Sequence, residues 1–296
     1  MDINRINLDT LFTGYNAVFN RGFQSAKTEW RNVAMLIPSV TEKEIYAWLG
    51  QIPGIREWIG DRVINSLMTK GYTLENKDFE STVAVPRNKI LDDMYGVYSP
   101  LIEELGRVAA VHPDEQVFAT LSKGFTEICY DGQRFFDTDH PISVEGKTVS
   151  VANTDGGDGP AWFLLDNSRA LRPLIYQERQ KFNLVRKDQE NDDNVFFRKE
   201  YIYGVDGRSV AGFGLWQLAW GSKQTLDAAH YEVARTHLQT LKGDEGRPLG
   251  LKPTTLVVSP QLESAAFDLI NSATLANGAS NKWYKSVEVI VTPWAA

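Results

Sequence analysis

Two stretches of this chain decide its fold: residues 129–141, CYDGQRFFDTDHP, and residues 162–180, WFLLDNSRALRPLIYQERQ. Neither stretch contains a known catalytic motif. Within the first, DTDHP has the composition of a turn, because aspartate side chains bond the nearby backbone and a residue before proline is held extended. We therefore interpret both stretches as structural and expect no active site in them.

Together the two stretches resemble the signature segments of the Mu-like phage major head subunit family, the gpT-type capsid proteins. The resemblance extends from Leu8 to Trp294. It implies an α+β chain with the HK97-type capsid fold, which has an N-terminal arm, an E-loop hairpin, a P-domain with a long spine helix, and an A-domain. The implied function is to tile a shell with copies of the same chain.

The resemblance also implies a division of the chain. The approximate parts are an N-terminal arm (1–30), a connecting helix (31–55), an extended E-loop region (56–92), the spine helix and P-domain (93–135), and an A-domain with returning P-domain strands (136–296). No metal or cofactor is implied. The implied location is the virion, with assembly in the cytoplasm of the bacterial host.

The implied partner is the chain itself, in the hexamers and pentamers of an icosahedral phage head. The head would enclose double-stranded DNA and contact it non-specifically. Because the chain shows no long N-terminal scaffolding extension, a separate scaffolding protein is expected, together with a portal and a head protease. A cellular nanocompartment shell with the same fold is an alternative within this resemblance.

The composition agrees with a soluble protein that is not a dedicated nucleic-acid binder. The chain has 296 residues, a formal charge of −7 and a pI of about 5.3, whereas a free-standing nucleic-acid binder usually shows a basic excess. Its single cysteine, Cys129, excludes an internal disulfide and a paired-cysteine zinc site. We expect no signal peptide, because the N-terminus MDINRINLDT lacks a basic region followed by an apolar region. We expect no membrane span, because no stretch approaches about 18 apolar residues.

The N-terminal segment carries large apolar residues at helical spacing, with Asp9 or Thr10 as a cap. Such a face packs either on its own core or on a neighbouring subunit, and the resemblance favours the neighbour. The candidate interface residues here are Leu8, Leu11, Phe12, Tyr15, Phe19 and Phe23.

Two further patterns precede the predicted spine helix. TEKE at 41–44 is a capping box that predicts a short helix over 45–49. Residues 56–67 fit a helix or a long strand, and periodicity leaves the choice open. Alternation over 79–85 predicts a half-buried strand, and the polar residues 76–78 predict a turn that makes a hairpin with 72–74. Its candidate interface residues are Tyr72, Leu74, Phe79, Val83 and Val85.

The spine helix is predicted to begin at Ser99-Pro100, to be interrupted or kinked at Pro113, and to restart at Asp114. Beyond it the pattern predicts a flexible glycine loop (156–159), strands (174–185, 195–205, 255–258, 287–291) and helices (225–242 and from 260 to about 273). The apolar segment 211–221, with Trp216 and Trp220, is a core element, a subunit contact, or a mixture.

Asp137, Asp139 and His140 form the densest set of metal-capable side chains. They support an alternative of another class, a metal-dependent hydrolase. The turn interpretation is favoured, because three such residues within four positions rarely converge on one ion. Cys129 has no evident histidine partner in the sequence, so we expect a buried, inert thiol. His230 and His237 are about 10 Å apart on one helix and cannot share an ion, so a surface or interface position is expected for both.

Overall fold

Helices and strands are mixed along the chain, and the α+β class is confirmed. The computed structural model describes residues 3–49, 71–92, 94–144, 147–243 and 246–295. The helices of these residues are α1 (Arg5–Ser25), α2 (Trp30–Val33), α3 (Arg87–Leu91), α4 (Ser99–Lys123), α5 (Asp193–Arg198), α6 (Ala228–Thr240) and α7 (Glu263–Ala266). The undecided segment 56–67 lies outside the described residues.

The strands of the described residues build two main sheets and two short ladders. The strands are β1 (Ala34–Pro38), β2 (Lys43–Tyr46), β3 (Tyr72–Glu75), β4 (Lys77–Pro86), β5 (His140–Val144), β6 (Lys147–Val151), β7 (Thr154–Gly157), β8 (Trp162–Leu165), β9 (Leu174–Lys187), β10 (Glu200–Phe213), β11 (Ala219–Lys223), β12 (Thr255–Val258) and β13 (Glu288–Val291). The first sheet has the order β1-β9-β10-β4 and the second β13-β12-β8-β11-β7, while β2 pairs with β3 and β5 with β6.

Two hydrophobic cores follow from this arrangement. The larger surrounds the five-stranded sheet, whose strand β8 is buried at every residue. The smaller lies where α1 and α4 pack on the long strands β9, β10 and β4. Burying apolar surface lowers the free energy of folding by roughly 25 cal/mol per Å², so both cores stabilise the single subunit.

The N-terminal segment forms the predicted helix, α1. The apolar residues that it buries are Leu8, Leu11, Tyr15 and Phe19. The predicted cap at Asp9 or Thr10 is wrong: the helix begins earlier, and the Asn4 side chain accepts a hydrogen bond of 2.9 Å from the backbone N–H of Asn7. Asparagine and aspartate are about equally good helix N-caps, so Asn4 takes the capping role that we predicted for Asp9 or Thr10.

α1 packs closely on α4 within the same chain. A Cβ placed on Gly22 would overlap the carbonyl oxygen of Glu103, and one placed on Gly106 would overlap that of Phe19. The Arg21 guanidinium donates two hydrogen bonds, of 2.9 and 2.7 Å, to the Glu103 carboxylate beside this crossing. The predicted arm is therefore folded onto its own spine helix in this structure.

The predicted helix over 45–49 is wrong. Of its capping-box residues, Thr41 and Glu42 form a bend, and Lys43 and Glu44 are the first two residues of β2. The Glu44 carboxylate accepts hydrogen bonds from the backbone N–H groups of Val40 and Thr41, at 3.0 and 3.2 Å. The Tyr46 hydroxyl then donates a 2.6 Å hydrogen bond to Gln177 of β9, which fixes the strand against the first sheet. Tertiary contacts thus use the capping residues in an extended chain.

The predicted hairpin over 72–85 is also wrong in its pairing, although both of its strands exist. β3 pairs with β2, whereas β4 pairs antiparallel with β10. Asn76 stands at the point where the chain changes sheets. Its amide donates to Ser39 Oγ at 3.0 Å and accepts from Gln177 Nε2 at 2.8 Å. Burial alternates along β4 as predicted, ending at the fully buried Val85.

The spine helix is one continuous helix, so the predicted restart at Asp114 is wrong. α4 runs through Pro113 from Ser99 to Lys123. The Asp114 carboxylate instead accepts the backbone N–H of Trp30 at 2.7 Å and that of Glu29 at 3.0 Å. This aspartate therefore caps α2 from a distant part of the sequence.

Later elements agree with their predictions except at their ends. β12 matches its predicted range, and β13 starts one residue late. A strand is predicted over 195–205, but residues 193–198 form α5 and the strand β10 begins only at Glu200. Part of the predicted glycine loop forms the short strand β7. On α6, Val233 is 52% exposed. The last helical segment divides into a 3₁₀ turn, α7 and a π turn (Phe267–Asn271).

Candidate functional site

The most exposed aromatic side chains of the described residues are at the turn between β9 and β10. Phe196 and Phe197 on α5 are 74% and 75% exposed, and their rings meet edge to face at 5.0 Å. The Asn194 amide closes this turn by donating to the carbonyl oxygens of Lys187 and Glu200, at 2.9 and 2.7 Å. A turn ordered by these hydrogen bonds thus exposes two aromatic rings to solvent. We name Phe196 and Phe197 the aromatic tip.

A second apolar surface lies along the spine helix. Leu101 and Val108 are seven residues apart on one face of α4, and they are 48% and 46% exposed. Val97, in the 3₁₀ turn just before the helix, is 68% exposed. We name these three residues the α4 stripe. We treat the stripe as a candidate contact surface, because exposed apolar patches mark interaction sites.

A third apolar surface belongs to the β2–β3 ladder. Val40 is 78% exposed and Ile45 is 68% exposed, on either side of the turn that Glu44 closes. A two-stranded ladder is marginal by itself and gains stability from a surface on which it lies. We name Val40 and Ile45 the ribbon patch.

The interface residues chosen from the sequence divide into two groups by burial. Those buried by their own chain are Leu8, Leu11, Tyr15, Phe19, Leu74, Val85, Trp216 and Trp220. Those that keep exposed area are Phe12, Phe23, Tyr72, Phe79 and Val83. Side chains of the first group have little area left for a neighbour, while the assignment of the whole set to interfaces stays a prediction. The aromatic tip was missed, although two adjacent phenylalanines in a charged turn were a visible signal.

The proposed cluster of Asp137, Asp139 and His140 does not come together. Asp137 is used by the backbone, because its carboxylate accepts the N–H of Thr138 at 2.7 Å and that of Arg134 at 3.3 Å. Asp139 is exposed, whereas His140 is fully buried. The turn interpretation of DTDHP therefore holds, and the hydrolase alternative loses the convergent ligands on which it depends.

His140 instead meets Asp131 and Cys129. Its Nδ1 lies 2.7 Å from Asp131 Oδ2, and the Cys129 thiol donates to Asp131 Oδ1 at 3.1 Å. Gly132, in the left-handed region at φ +92°, makes the tight turn that brings Cys129 and Asp131 to one side. Cys129 is a buried thiol, as expected, and in space Asp131 links it to His140, a partner that the sequence did not reveal.

Burial and hydrogen bonding act on this group in opposite directions. Burial raises the pKa of the Cys129 thiol, and the nearby Asp131 carboxylate raises it further, so the thiol is protonated. Burial alone would raise the pKa of Asp131, but the hydrogen bond and charge of His140 hold that pKa below its ordinary value. The carboxylate is thus the anionic centre of a buried polar network.

Two further histidines, His230 and His237, have local structural roles. His230 Nδ1 lies 3.0 Å from Asp227, which caps α6. His237 packs on Trp220 with ring centroids 4.7 Å apart, and burial lowers its pKa. Among the helices of the described residues, none is long and apolar enough to cross a membrane.

Comparison with known proteins decides the family. The profile of the Mu-like prophage major head subunit gpT family matches residues 8–295. The chain belongs to this family. It is accordingly a phage major capsid protein, a structural subunit of the phage head.

Curated relatives agree with this identification. The head subunit is 38% identical to the major capsid protein of Escherichia phage Mu over 304 residues, covering 99% of this chain and 100% of that protein. It is 44% identical to the Mu-like prophage FluMu major head subunit of Haemophilus influenzae over 268 residues, covering 88% of this chain and 87% of that protein. These relatives give no support to a hydrolase or to a nanocompartment shell.

Solved structures confirm the capsid fold. A chain of the bacteriophage JBD30 procapsid is 44% identical, with a TM-score of 0.90 over 99% of the head subunit and 100% of that chain. A chain of the JBD30 capsid is 32% identical, with a TM-score of 0.78 over 100% of both chains. The likeness therefore extends over the whole subunit.

Proposed function

We propose that this head subunit assembles with copies of itself into hexamers and pentamers, which close into an icosahedral head around double-stranded DNA. One observation carries the proposal: the subunit matches chains taken from an assembled procapsid and capsid over its full length. The role is structural and not catalytic. Ring closure requires head-to-tail contacts in which two different surfaces of the subunit meet.

The aromatic tip, the α4 stripe and the ribbon patch are the surfaces that we assign to these contacts. They are on different elements, so one subunit can meet several neighbours at once. Individually modest contacts then give a stable shell, because each additional contact within a closed particle is intramolecular. Of the candidates chosen from the sequence, Phe12, Phe23, Tyr72, Phe79 and Val83 keep enough exposed area to extend these contacts.

The described conformation is more similar to the JBD30 procapsid chain than to the JBD30 capsid chain. The TM-score against the JBD30 procapsid chain is 0.90, and against the capsid chain it is 0.78. We therefore infer that the packing of α1 on α4 belongs to the state before maturation. The glycine crossing and the Arg21–Glu103 pair would hold this state.

Further partners follow from the same likeness. A JBD30 capsid decorated with minor capsid protein trimers has a chain that is 34% identical, with a TM-score of 0.77 and 92% coverage of both chains. We propose that this head is decorated in the same way. We also propose assembly in the host cytoplasm, with a separate scaffolding protein, a portal and a head protease, and only non-specific contact with the packaged DNA.

Electron microscopy of the purified subunit tests the proposal. Negative-stain images across a protein concentration and salt series, with size-exclusion chromatography alongside, should show rings of five or six copies or closed shells. Co-expression with the scaffolding protein of the same phage should raise the yield of closed shells. A monomer under every one of these conditions would overturn the proposal.

A further inference from the structure

We propose that Cys129, Asp131 and His140 form a binding site for one divalent ion of the zinc class. The proposal goes beyond the head function and does not depend on it. The ligand atoms of these three residues all lie within 4.8 Å of one another. A tetrahedral zinc ion with bonds of about 2.0–2.3 Å holds its ligand atoms about 3.3–3.8 Å apart, so small side-chain shifts suffice to admit it.

Asn153 fixes which nitrogen of His140 faces this site. The Asn153 oxygen accepts the backbone N–H of Asp137 at 2.9 Å, and its amide donates to the Phe135 carbonyl at 2.8 Å. Its orientation is therefore determined, and Oδ1 lies 3.2 Å from His140 Nε2. That nitrogen must carry a proton, which it donates to Asn153. An outer hydrogen bond of this type orients a metal-binding imidazole in many proteins.

The other ring nitrogen then needs a cation. In a neutral His140 with Nε2 protonated, Nδ1 holds a lone pair, and it faces the Asp131 carboxylate at 2.7 Å. Two acceptors do not approach so closely unless a positive charge stands between them. Either a second proton on the imidazole or a metal ion supplies it. The Cys129 thiol also points its proton at this carboxylate.

A divalent ion carries the same charge as the two protons that it would displace. Removing the thiol proton and the Nδ1 proton leaves thiolate, carboxylate and imidazole around the ion, with no net change of charge in the buried site. Metal binding should therefore release about two protons per ion.

The ligand types and surroundings select the metal. Sulfur, nitrogen and oxygen together suit Zn²⁺, Co²⁺ or Cd²⁺, whereas Mg²⁺ and Ca²⁺ prefer oxygen alone. The indole of Trp216 stacks on the His140 ring at 4.0 Å and shields it. The Asp131 side chain is 8% exposed and that of His140 is fully buried, so Asp131 lies on the solvent side of the pair. The ion would join the 129–133 turn to the start of β5.

Cobalt titration of the chelator-treated subunit tests the site. Because the chain has one cysteine, any thiolate-to-cobalt charge-transfer band reports Cys129 alone. We expect such a band to saturate at one ion per chain, release of about two protons, and loss of the band when Zn²⁺ is added. No band, no bound metal by elemental analysis, or release of fewer than one proton would overturn the proposal and leave a hydrogen-bonded network only.

Variants locate the ligands. Cys129→Ala should abolish the band, and His140→Gln should weaken cobalt binding at least tenfold. Asp139→Asn is the matched control, since Asp139 is exposed in the same segment and should leave the titration unchanged. An unchanged titration in His140→Gln would overturn the assignment. If the core variants fail to fold, the wild-type band and its stoichiometry still decide the matter.

Discussion

Gly22 of α1 and Gly106 of α4 face each other's helix where the two helices cross. In each case a backbone carbonyl of the other helix, that of Glu103 or Phe19, occupies the space that a Cβ would need. The smaller core depends on this approach, because it brings the buried face of α1 against α4 and the long strands. The glycines thus determine whether the arm lies on its own subunit.

Gly106→Ala should destabilise the subunit, although alanine ordinarily favours a helix. The added methyl must push α1 away from α4, which we expect to cost about 1–3 kcal/mol of unfolding free energy. Gly14→Ala on α1 is the matched control: no atom lies within 4 Å of its Cβ position, so a gain of up to about 1 kcal/mol is expected. Urea unfolding of the unassembled subunit measures both, and equal effects would contradict the close crossing.

Asp131→Asn should lower the unfolding free energy at neutral pH by about 1.5–3 kcal/mol, the usual range for a hydrogen bond to a charged group. Because the pKa of Asp131 is held below its ordinary value in the fold, its contribution is complete above the unfolded pKa of about 3.9. It disappears as the pH falls through the lower, folded pKa.

The wild-type and Asp131→Asn curves of stability against pH, measured with chelator present, should therefore converge below about pH 4. Asp139→Asn, on the exposed neighbour, serves as control and should follow the wild type. A difference between wild type and Asp131→Asn that is constant with pH would argue against the charged role of Asp131.

Asp114→Ala should destabilise the subunit by about 1–2 kcal/mol, because α2 loses its cap. The Asp114 carboxylate accepts the backbone N–H groups of Glu29 and Trp30. Asp114→Asn keeps an acceptor oxygen and should retain more of the stability. Thermal unfolding of both variants checks the order, and equal losses would show that the lost charge, not the lost acceptor, matters.

Replacing the aromatic tip should separate assembly from folding. Phe196→Ser with Phe197→Ser removes two side chains that are about three-quarters exposed, so the unfolding free energy should change by less than about 0.5 kcal/mol. Assembly measured by sedimentation should fall at least tenfold. Val233→Ser, a 52% exposed position on α6, is the control that should still assemble. Normal shells from the double variant would remove the tip from the interface.

Local patterns predicted many elements but not their partners. The alternation over 79–85 correctly indicated a strand, yet nothing near it in the sequence specifies pairing with β10. TEKE at 41–44 has the hydrogen-bonding groups of a helix cap, but the Glu44 carboxylate instead accepts the backbone N–H of Val40 across the bend at which β2 begins. Contacts with residues far away in the sequence determine the pairing of β4 and the extended conformation after 41–44. A local window of about ten residues does not include those distant partners.

The candidate sites were limited for the same reason. An apolar face such as that of α1 has one appearance whether its own core or a neighbour covers it, so Leu8 and Tyr15 gave no means to choose. His140 was grouped with its neighbours in sequence, whereas its partner in space is Asp131, nine residues earlier. Cys129, Asp131 and His140 all lie in the first signature stretch, but their spacing along the sequence does not show that the three side chains meet.

A cryo-electron microscopy reconstruction of particles assembled from the wild-type subunit tests the central claim most directly. We expect a closed shell of hexamers and pentamers in which neighbouring subunits cover the aromatic tip, the α4 stripe and the ribbon patch. Shells in which these residues face solvent would contradict the assigned contacts. A subunit that forms no ring or shell, even with its scaffolding protein, would contradict self-assembly itself.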